Sequence, residues 1–395
     1  MLENEFDVII VGAGPAGSCA AKKLAESGLS VMVYDRRAEI GNPKRCGEGL
    51  GRSAEQFLGT VPARCVAQKI KGARLYAPNG KSVDVIVEES GYVLDRHAFD
   101  KWLATEAAKA GAHVQANALV RSLVIENGFV RGVRGELSGE QFEARAKVVL
   151  SATGAESPLA YQAGLKTACS LNLVDTCFQY EMANIGLEKQ DWTDFIHVYI
   201  GVGIAPRGYI WVFPKGNTTA NVGIGILPGS LKPKVCLDRW VAAQGGLAKG
   251  SVIEVNAGAV PVGGMLKEMA ADGFLVCGEA AHHVNPIHGG GIKEAAVSAQ
   301  LAADVIINSI KKNDVSRKSL SAFNDLWWSV RGGKMRNIEK LREVFERMTD
   351  KDFNLLADTL NPSDIAEFAR GTKLAAFAGI LAKNPSLALL ARYLL

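Results

Sequence analysis

Gly12, Gly14 and Gly17 stand at G-x-G-x-x-G spacing between an apolar run, FDVIIV at residues 6–11, and a stretch from residue 15 to 27 that reads as a helix. After a buried strand, the first glycine of such a turn permits the tight bend and the second lets backbone approach a pyrophosphate. The third lets helix and strand pack closely. Amides at the helix start, aided by its dipole, then hold phosphate oxygens. Asp35 ends the next apolar run, LSVMVYD at residues 29–35, where a carboxylate can bond a ribose hydroxyl, and Arg36 follows it. Strand, turn, helix, strand and acid in this order specify a dinucleotide site, for NAD or FAD alike.

Other residues carry chemistry of less defined kind. Cys46 lies between Arg45 and Gly47 in a polar loop. A neighbouring guanidinium favours thiolate, which suits a proton donor or a redox-responsive thiol; the alternative is that the loop needs a small side chain. Cys19, Cys169, Cys177 and Cys236 sit in apolar or strand-like settings and are expected to be inert. His282, His283 and His288 cluster without further ligands at suitable spacing, so no metal is expected. Tyr209, Trp211 and Phe213 alternate along one strand and project to one face, as core or as the wall of an apolar pocket.

These residues need a large scaffold, and 395 residues with 48% hydrophobic content and 42 glycines supply two or three domains. A net charge of +4 gives no case for nucleic acid, and the basic segment 331–347 reads as a solvated helix face. Seven cysteines without a CxxC pair, and no secretory signal, argue against a disulfide framework and for a reducing, cytoplasmic setting. The apolar tail from Leu374 is interrupted by Lys383, Asn384 and Pro385. It therefore predicts two short helices that shelter an apolar ligand or touch a membrane peripherally, without spanning it.

The pattern predicts an α/β fold: a Rossmann-type dinucleotide-binding domain from residues 1–70, 95–165 and 260–310, with a strand (146–152) and a long helix reaching residue 310. An inserted antiparallel β-sheet domain takes residues 71–94 and 166–259, and a C-terminal helical region takes 311–395. Hairpins are expected at 72–87 and 118–137, around Asn79-Gly80 and Asn127-Gly128, with a helix at 95–110 between them.

RCGEG (45–49), ATGAES (152–157) and CGEAAHHVNPIHGGGI (277–292) together resemble the flavoprotein hydroxylase and reductase superfamily. GYIWVFPKGNTTANVGIG (208–225), taken with RCGEG, is similar to the geranylgeranyl reductases, flavoenzymes that saturate isoprenoid chains of archaeal lipids and of chlorophyll. The resemblance covers most of the chain up to about residue 310. It implies FAD as cofactor, held by Gly12, Gly14, Ala16, Gly17, Asp35, Arg36, Arg45, Cys46, Gly47, Gly49, Arg96, Ala118, Gly154, Glu279, Gly289, Gly290, Gly291 and Ile292. Glu279 stands where the superfamily usually has aspartate, and Thr153 where many members have aspartate. The implied activity is saturation of geranylgeranyl double bonds in archaeal membrane lipid synthesis, with Cys46 a candidate proton donor and Tyr209, Trp211 and Phe213 against the polyprenyl substrate. An aromatic monooxygenase and a flavin electron-transfer protein are the alternatives on the same scaffold. With one dinucleotide fingerprint visible, electrons are expected from an external ferredoxin-like donor or NAD(P)H, and location is expected to be cytoplasmic, peripheral at the membrane face.

Overall fold

The computed structural model describes residues 5–156, 158–186, 191–229, 231–385 and 387–394, apart from the side chains of 87–90. Ser157 of ATGAES, residues 187–190 of the strand-rich region, and Ser386 and Leu395 of the tail lie outside the described residues.

Sixteen strands are described: β1 Glu5–Val11, β2 Val31–Tyr34, β3 Gly49–Gly51, β4 Val66–Tyr76, β5 Ser82–Leu94, β6 His113–Gln115, β7 Ala118–Glu126, β8 Phe129–Leu137, β9 Glu140–Ser151, β10 Val174–Ala183, β11 Phe195–Ile200, β12 Tyr209–Pro214, β13 Thr219–Ile226, β14 Ser251–Pro261, β15 Ala270–Ala271 and β16 Phe274–Val276. They form two eight-stranded sheets. The first runs β15-β16-β9-β1-β2-β6, with the β7–β8 hairpin joined to β9 through β8. Its central pairings, β1 with β2 and β9, β9 with β16, and β2 with β6, are parallel. Val8, Ile9 and Ile10 are fully buried, because helices cover this sheet and leave no polar face; that is why its strands read as continuous apolar runs.

Helix Pro15–Glu26 packs on helices Arg96–Lys109 and Ile292–Lys311. The close approach depends on glycine: a Cβ on Gly17 would lie 1.8 Å from the Gly12 carbonyl oxygen, and one on Gly278 2.8 Å from the Ala16 Cβ.

The second sheet runs β14-β10-β13-β12-β11-β4-β5-β3. It is not wholly antiparallel, as the sequence pattern suggests, because β11 joins β4 in parallel register, Phe195 opposite Gly72. The two strands are far apart in the chain and no hairpin constrains their direction. Helix Pro233–Ala242 covers one face through Leu237 and Trp240, against Tyr180, Val222 and Ile224.

The C-terminal helices Asp350–Thr359 and Pro362–Ala369 each begin in a capping box, Thr349 with Asp352 and Asn361 with Asp364. The tail forms helix Leu374–Lys383 and a short 3-10 turn, Ala388–Tyr393. Phe377, Leu381 and Leu387 are fully buried against Phe368 and Leu341, so much of its apolar content is core. Among the described residues no helix is long and apolar enough to cross a membrane. Polar contacts fasten these helices to the rim of the second sheet: Asp350 accepts from the Val202 amide at 2.6 Å, Lys81 pairs with Asp358 at 2.7 Å and Arg207 with Glu346 at 2.6 Å.

Candidate functional site

At the dinucleotide turn, Gly12 has φ +105° and its missing Cβ would meet the Ala152 carbonyl at 2.4 Å, whereas a Cβ on Gly14 would have nothing within 4 Å. The turn is thus closed toward the protein and open at Gly14, the N-cap of a helix with no side chain on its first amides. Asp35 is 3% exposed. Its two oxygens accept from the Ala13 and Arg37 amides, both at 2.8 Å. The strand end places the carboxylate directly beneath the turn, so it braces the backbone as well as facing the cleft. The Ala118 amide bonds the Asp35 carbonyl at 2.8 Å. Arg36 and Arg45 both turn to Glu156, at 3.0 and 3.4 Å.

The guanidinium beside Cys46 is that of Arg96, not Arg45. Arg96 is held by both oxygens of Asp100, at 2.9 and 2.8 Å. The Cys46 Sγ accepts from the Glu48 amide at 3.1 Å. The Cys46 carbonyl accepts from Gln179 at 2.9 Å and Asn221 at 3.3 Å. Gly47 and Gly49 are where the loop crosses the aromatic strand: a Cβ on either would lie 3.2 or 3.1 Å from the Phe213 ring. Tyr209 and Trp211 have ring centroids 5.9 Å apart, and Trp211 and Phe213 6.3 Å apart.

Beneath this loop lies a buried charged group that the sequence reading passes over. Glu48 has no exposed surface and a φ of +72°. Its carboxylate accepts from Lys215 at 3.1 Å, Asn221 at 3.2 Å and the Arg96 amide at 3.1 Å, with Lys44 at 3.4 Å. Lys44 also bonds Glu181, and Glu254 at 2.9 Å. Burial works against the Lys44 ammonium, but the surrounding carboxylates more than offset it and raise its pKa. The signal was present: a charge between two glycines in RCGEG, and the lysine of FPK. Their meeting requires pairings across more than 130 residues.

Glu279 stands in a short 3-10 turn, Gly278–Ala281, its Oε2 3.5 Å from where a Cβ on Gly154 would be. Its carboxyl reaches the cavity but is enclosed by protein, and that burial raises its pKa despite the guanidinium of Arg96. Helix Ile292–Lys311 starts at Gly291 with no side-chain cap, leaving its N-terminal amides open toward Gly289 and Gly290. Each histidine of the cluster has its own partner. His282 bonds the Gly264 carbonyl at 2.8 Å, His283 bonds Ser298 at 2.8 Å and stacks on Trp327, and His288 accepts from the Gly290 amide at 3.1 Å. Tyr209 donates to the His288 carbonyl at 2.7 Å.

One continuous cavity of about 1330 Å³ joins these parts. Every cofactor and substrate position named from the sequence lines it except Gly17, which is spent on helix–strand packing. From the glycine turn it passes Cys46 and the aromatic strand and ends among Phe345, Phe353, Leu356 and Phe368 of the C-terminal helices. Cys169 and Cys177, expected to be inert, stand on its wall, where burial raises both thiol pKa values. Asp175, also on the wall, is pushed up to about 6 by burial, partly countered by Arg342 at 3.4 Å.

Residues 7–196 match the FAD dependent oxidoreductase family, and residues 174–260 match the geranylgeranyl reductase catalytic domain. The chain is 40% identical over 393 residues to the digeranylgeranylglycerophospholipid reductase of Methanocella arvoryzae, covering 98% of each. The chain belongs to the geranylgeranyl reductase family. The crystal structure of a geranylgeranyl bacteriochlorophyll reductase-like protein from Thermoplasma acidophilum superposes with a TM-score of 0.90 at 34% identity, covering 100% of both chains. A flavin-dependent brominase, 17% identical with a TM-score of 0.76 over 98% of each chain, shares the fold alone. As a member of this family the protein is an FAD-dependent oxidoreductase that reduces geranylgeranyl double bonds, and the monooxygenase and electron-transfer alternatives lapse.

Proposed function

We propose that this geranylgeranyl reductase acts on a digeranylgeranyl glycerophospholipid, the lipid named in its Methanocella relative's name, and saturates its two prenyl chains. The observation that carries the reading is the continuity of the cavity, from the dinucleotide turn to an apolar end among the C-terminal helices.

The residues fit FAD. The turn is closed at Gly12 and Gly17 but clear at Gly14, and two helix N-termini, at Gly14 and Gly291, lack side-chain caps. On this reading the pyrophosphate lies against the Gly14 amides, Asp35 and Ala118 lie at the ribose, and Glu279 with Gly154 lies along the ribityl chain. The Gly289 to Ile292 segment and Gly47 flank the ring system. When bound, FAD supplies the hydride. The chain's residues do the rest. Tyr209, Trp211 and Phe213 wall the prenyl chain, which offers no polar handle and is held by area burial. An isolated trisubstituted alkene cannot stabilise a carbanion, so a proton must accompany the hydride, and on this reading the thiol of Cys46, which lines the cavity, gives it.

Electrons come from an external donor, ferredoxin-like or NAD(P)H, because the chain carries one dinucleotide fingerprint. Lipid is reached by peripheral contact at the cytoplasmic face, supported by apolar side chains left exposed on the tail, such as Leu389. The test is mass spectrometry of a digeranylgeranyl glycerophospholipid incubated with dithionite-reduced enzyme. Products heavier by successive pairs of hydrogens are expected. Oxygen consumption with NADPH and an unchanged lipid would overturn the reading.

A further inference from the structure

The proton that each saturation consumes has to reach a cavity whose walls are largely apolar. The π bond breaks and its electron pair forms a C–H bond to that proton, while the hydride brings the pair for the second C–H bond. The group that gave the proton must then regain one from water.

One stretch of wall is built differently. Six titratable side chains form one connected array between the surface and the Cys46 loop, with His97 and Glu254 partly exposed at one end (33% and 32%) and Lys44 and Glu48 buried at the other (1% and 0%). His97 and Glu254 are 3.8 Å apart and Glu254 and Lys44 2.9 Å. Lys44 meets Glu181 and, at 3.4 Å, Glu48; Lys215 bridges Glu181 at 2.8 Å and Glu48 at 3.1 Å. Both Lys44 and Glu48 line the cavity. The other groups that face this array are neutral amides, Gln179, Asn221 and Asn256, the mutually paired Arg96 and Asp100, and, at the His97 end, Glu39 paired with Lys101.

Three carboxylates meet two ammonium groups, with His97 at the outer end, so the array carries one carboxylate more than its lysines neutralise. A purely structural ion pair would need neither the odd carboxylate nor the opening to solvent. Burying so many charges is costly and seldom stabilises a fold more than apolar packing would. The left-handed backbone of Glu48 adds a local strain that is characteristic of functional positions.

The geometry points to this array as the proton inlet of the reductase: a proton taken from water by Glu254 passes through Lys44, Glu181 and Lys215 to Glu48 and recharges the acid at the Cys46 loop. Each hop from Glu254 to Glu48 moves one proton between groups in contact, lysine giving one as it receives another, and the last step crosses from Glu48, whose amide donates to the Cys46 Sγ, so the array ends each turnover unchanged. Glu254 and Glu181 are positioning residues here, since they touch no substrate. The inference rests on the alkene-reduction reading, but its test does not.

Infrared spectroscopy follows S–H to S–D exchange after transfer of the FAD-loaded, full-length protein into D2O, with a saturated glycerophospholipid diether filling the cavity. A Cys46→Ser difference spectrum assigns the band. Glu254→Gln and Glu181→Gln are expected to slow exchange at Cys46 by about tenfold or more. Glu254→Asp, which keeps a titratable group, is expected to restore it, as is added imidazole. In single turnovers of the reduced enzyme the same variants should slow product formation with lipid affinity unchanged and an enlarged solvent isotope effect. Wild-type exchange rates in both Gln variants, or slowing that neither Asp nor imidazole relieves, would overturn the inlet. Slowed exchange in the variants of an enzyme that reduces no alkene would uphold the inlet and overturn the substrate reading.

Discussion

The indole N–H of Trp211 donates to the Oδ1 of Asn221 at 3.2 Å, and the amide nitrogen of the same Asn221 holds the Cys46 carbonyl and the Glu48 carboxylate. One buried side chain therefore ties the aromatic strand to the loop that carries the thiol. Asn221→Ala leaves an indole N–H and a carboxylate short of a partner, and a loss of about 1 to 3 kcal/mol in denaturant unfolding is expected. Asn221→Asp keeps the acceptor but sets a second carboxylate against Glu48 and should fare no better.

Gly14 and Gly17 separate binding from folding. Gly17→Ala forces a Cβ into the Gly12 carbonyl and is expected to cost about 3 kcal/mol or more. Gly14→Ala meets no protein atom, so its thermal midpoint without cofactor should match wild type while FAD affinity falls. Fluorescence titration of FAD against both apoproteins reads this directly.

Trp211→Ala should discriminate by chain length. Losing about 60 Å² of contact at about 25 cal/mol per Å² is about 1.5 kcal/mol, or roughly tenfold in kcat/KM. That loss is expected for a geranylgeranyl chain and not for one too short to lie along the strand. Competition between long and short prenyl substrates, scored by mass, measures it.

Asp175 gives a pH signature of definite sign. Its carboxyl is held at about 6 in the fold against 3.8 for the free group, so the native state binds the extra proton. Stability from this site is full below pH 3.8 and is lost as pH rises through about 6. The melting temperature of Asp175→Asn, relative to wild type, should therefore rise between pH 4 and pH 8. A constant difference would place the charge elsewhere.

Much of the nucleotide-binding half is legible in the chain, because strands such as β1 and β9 are buried on both faces and their apolar runs leave no other reading. Gly12 and Gly17 are legible for a related reason: only glycine tolerates a carbonyl at 2.4 or 1.8 Å from its Cβ position. The second sheet is less so. Nothing local tells β11 to join β4 in parallel, since that register is settled by packing between segments more than a hundred residues apart. The charged array is the extreme case. Lys44, Glu48, Glu181, Lys215 and Glu254 are scattered over more than two hundred residues of sequence, and only the fold brings them into one array.

Above the cavity, the ion pairs of Lys81 with Asp358 and Arg207 with Glu346 sit at the solvent boundary, whereas the aromatic strand belongs to a continuous sheet. Dissolved ions weaken the first kind of contact and leave the second untouched. Ionic strength thus becomes a handle on one side of the chamber only: a lipid carried through purification in dilute buffer should be shed when the salt is raised, with the nucleotide-binding half still intact beneath it.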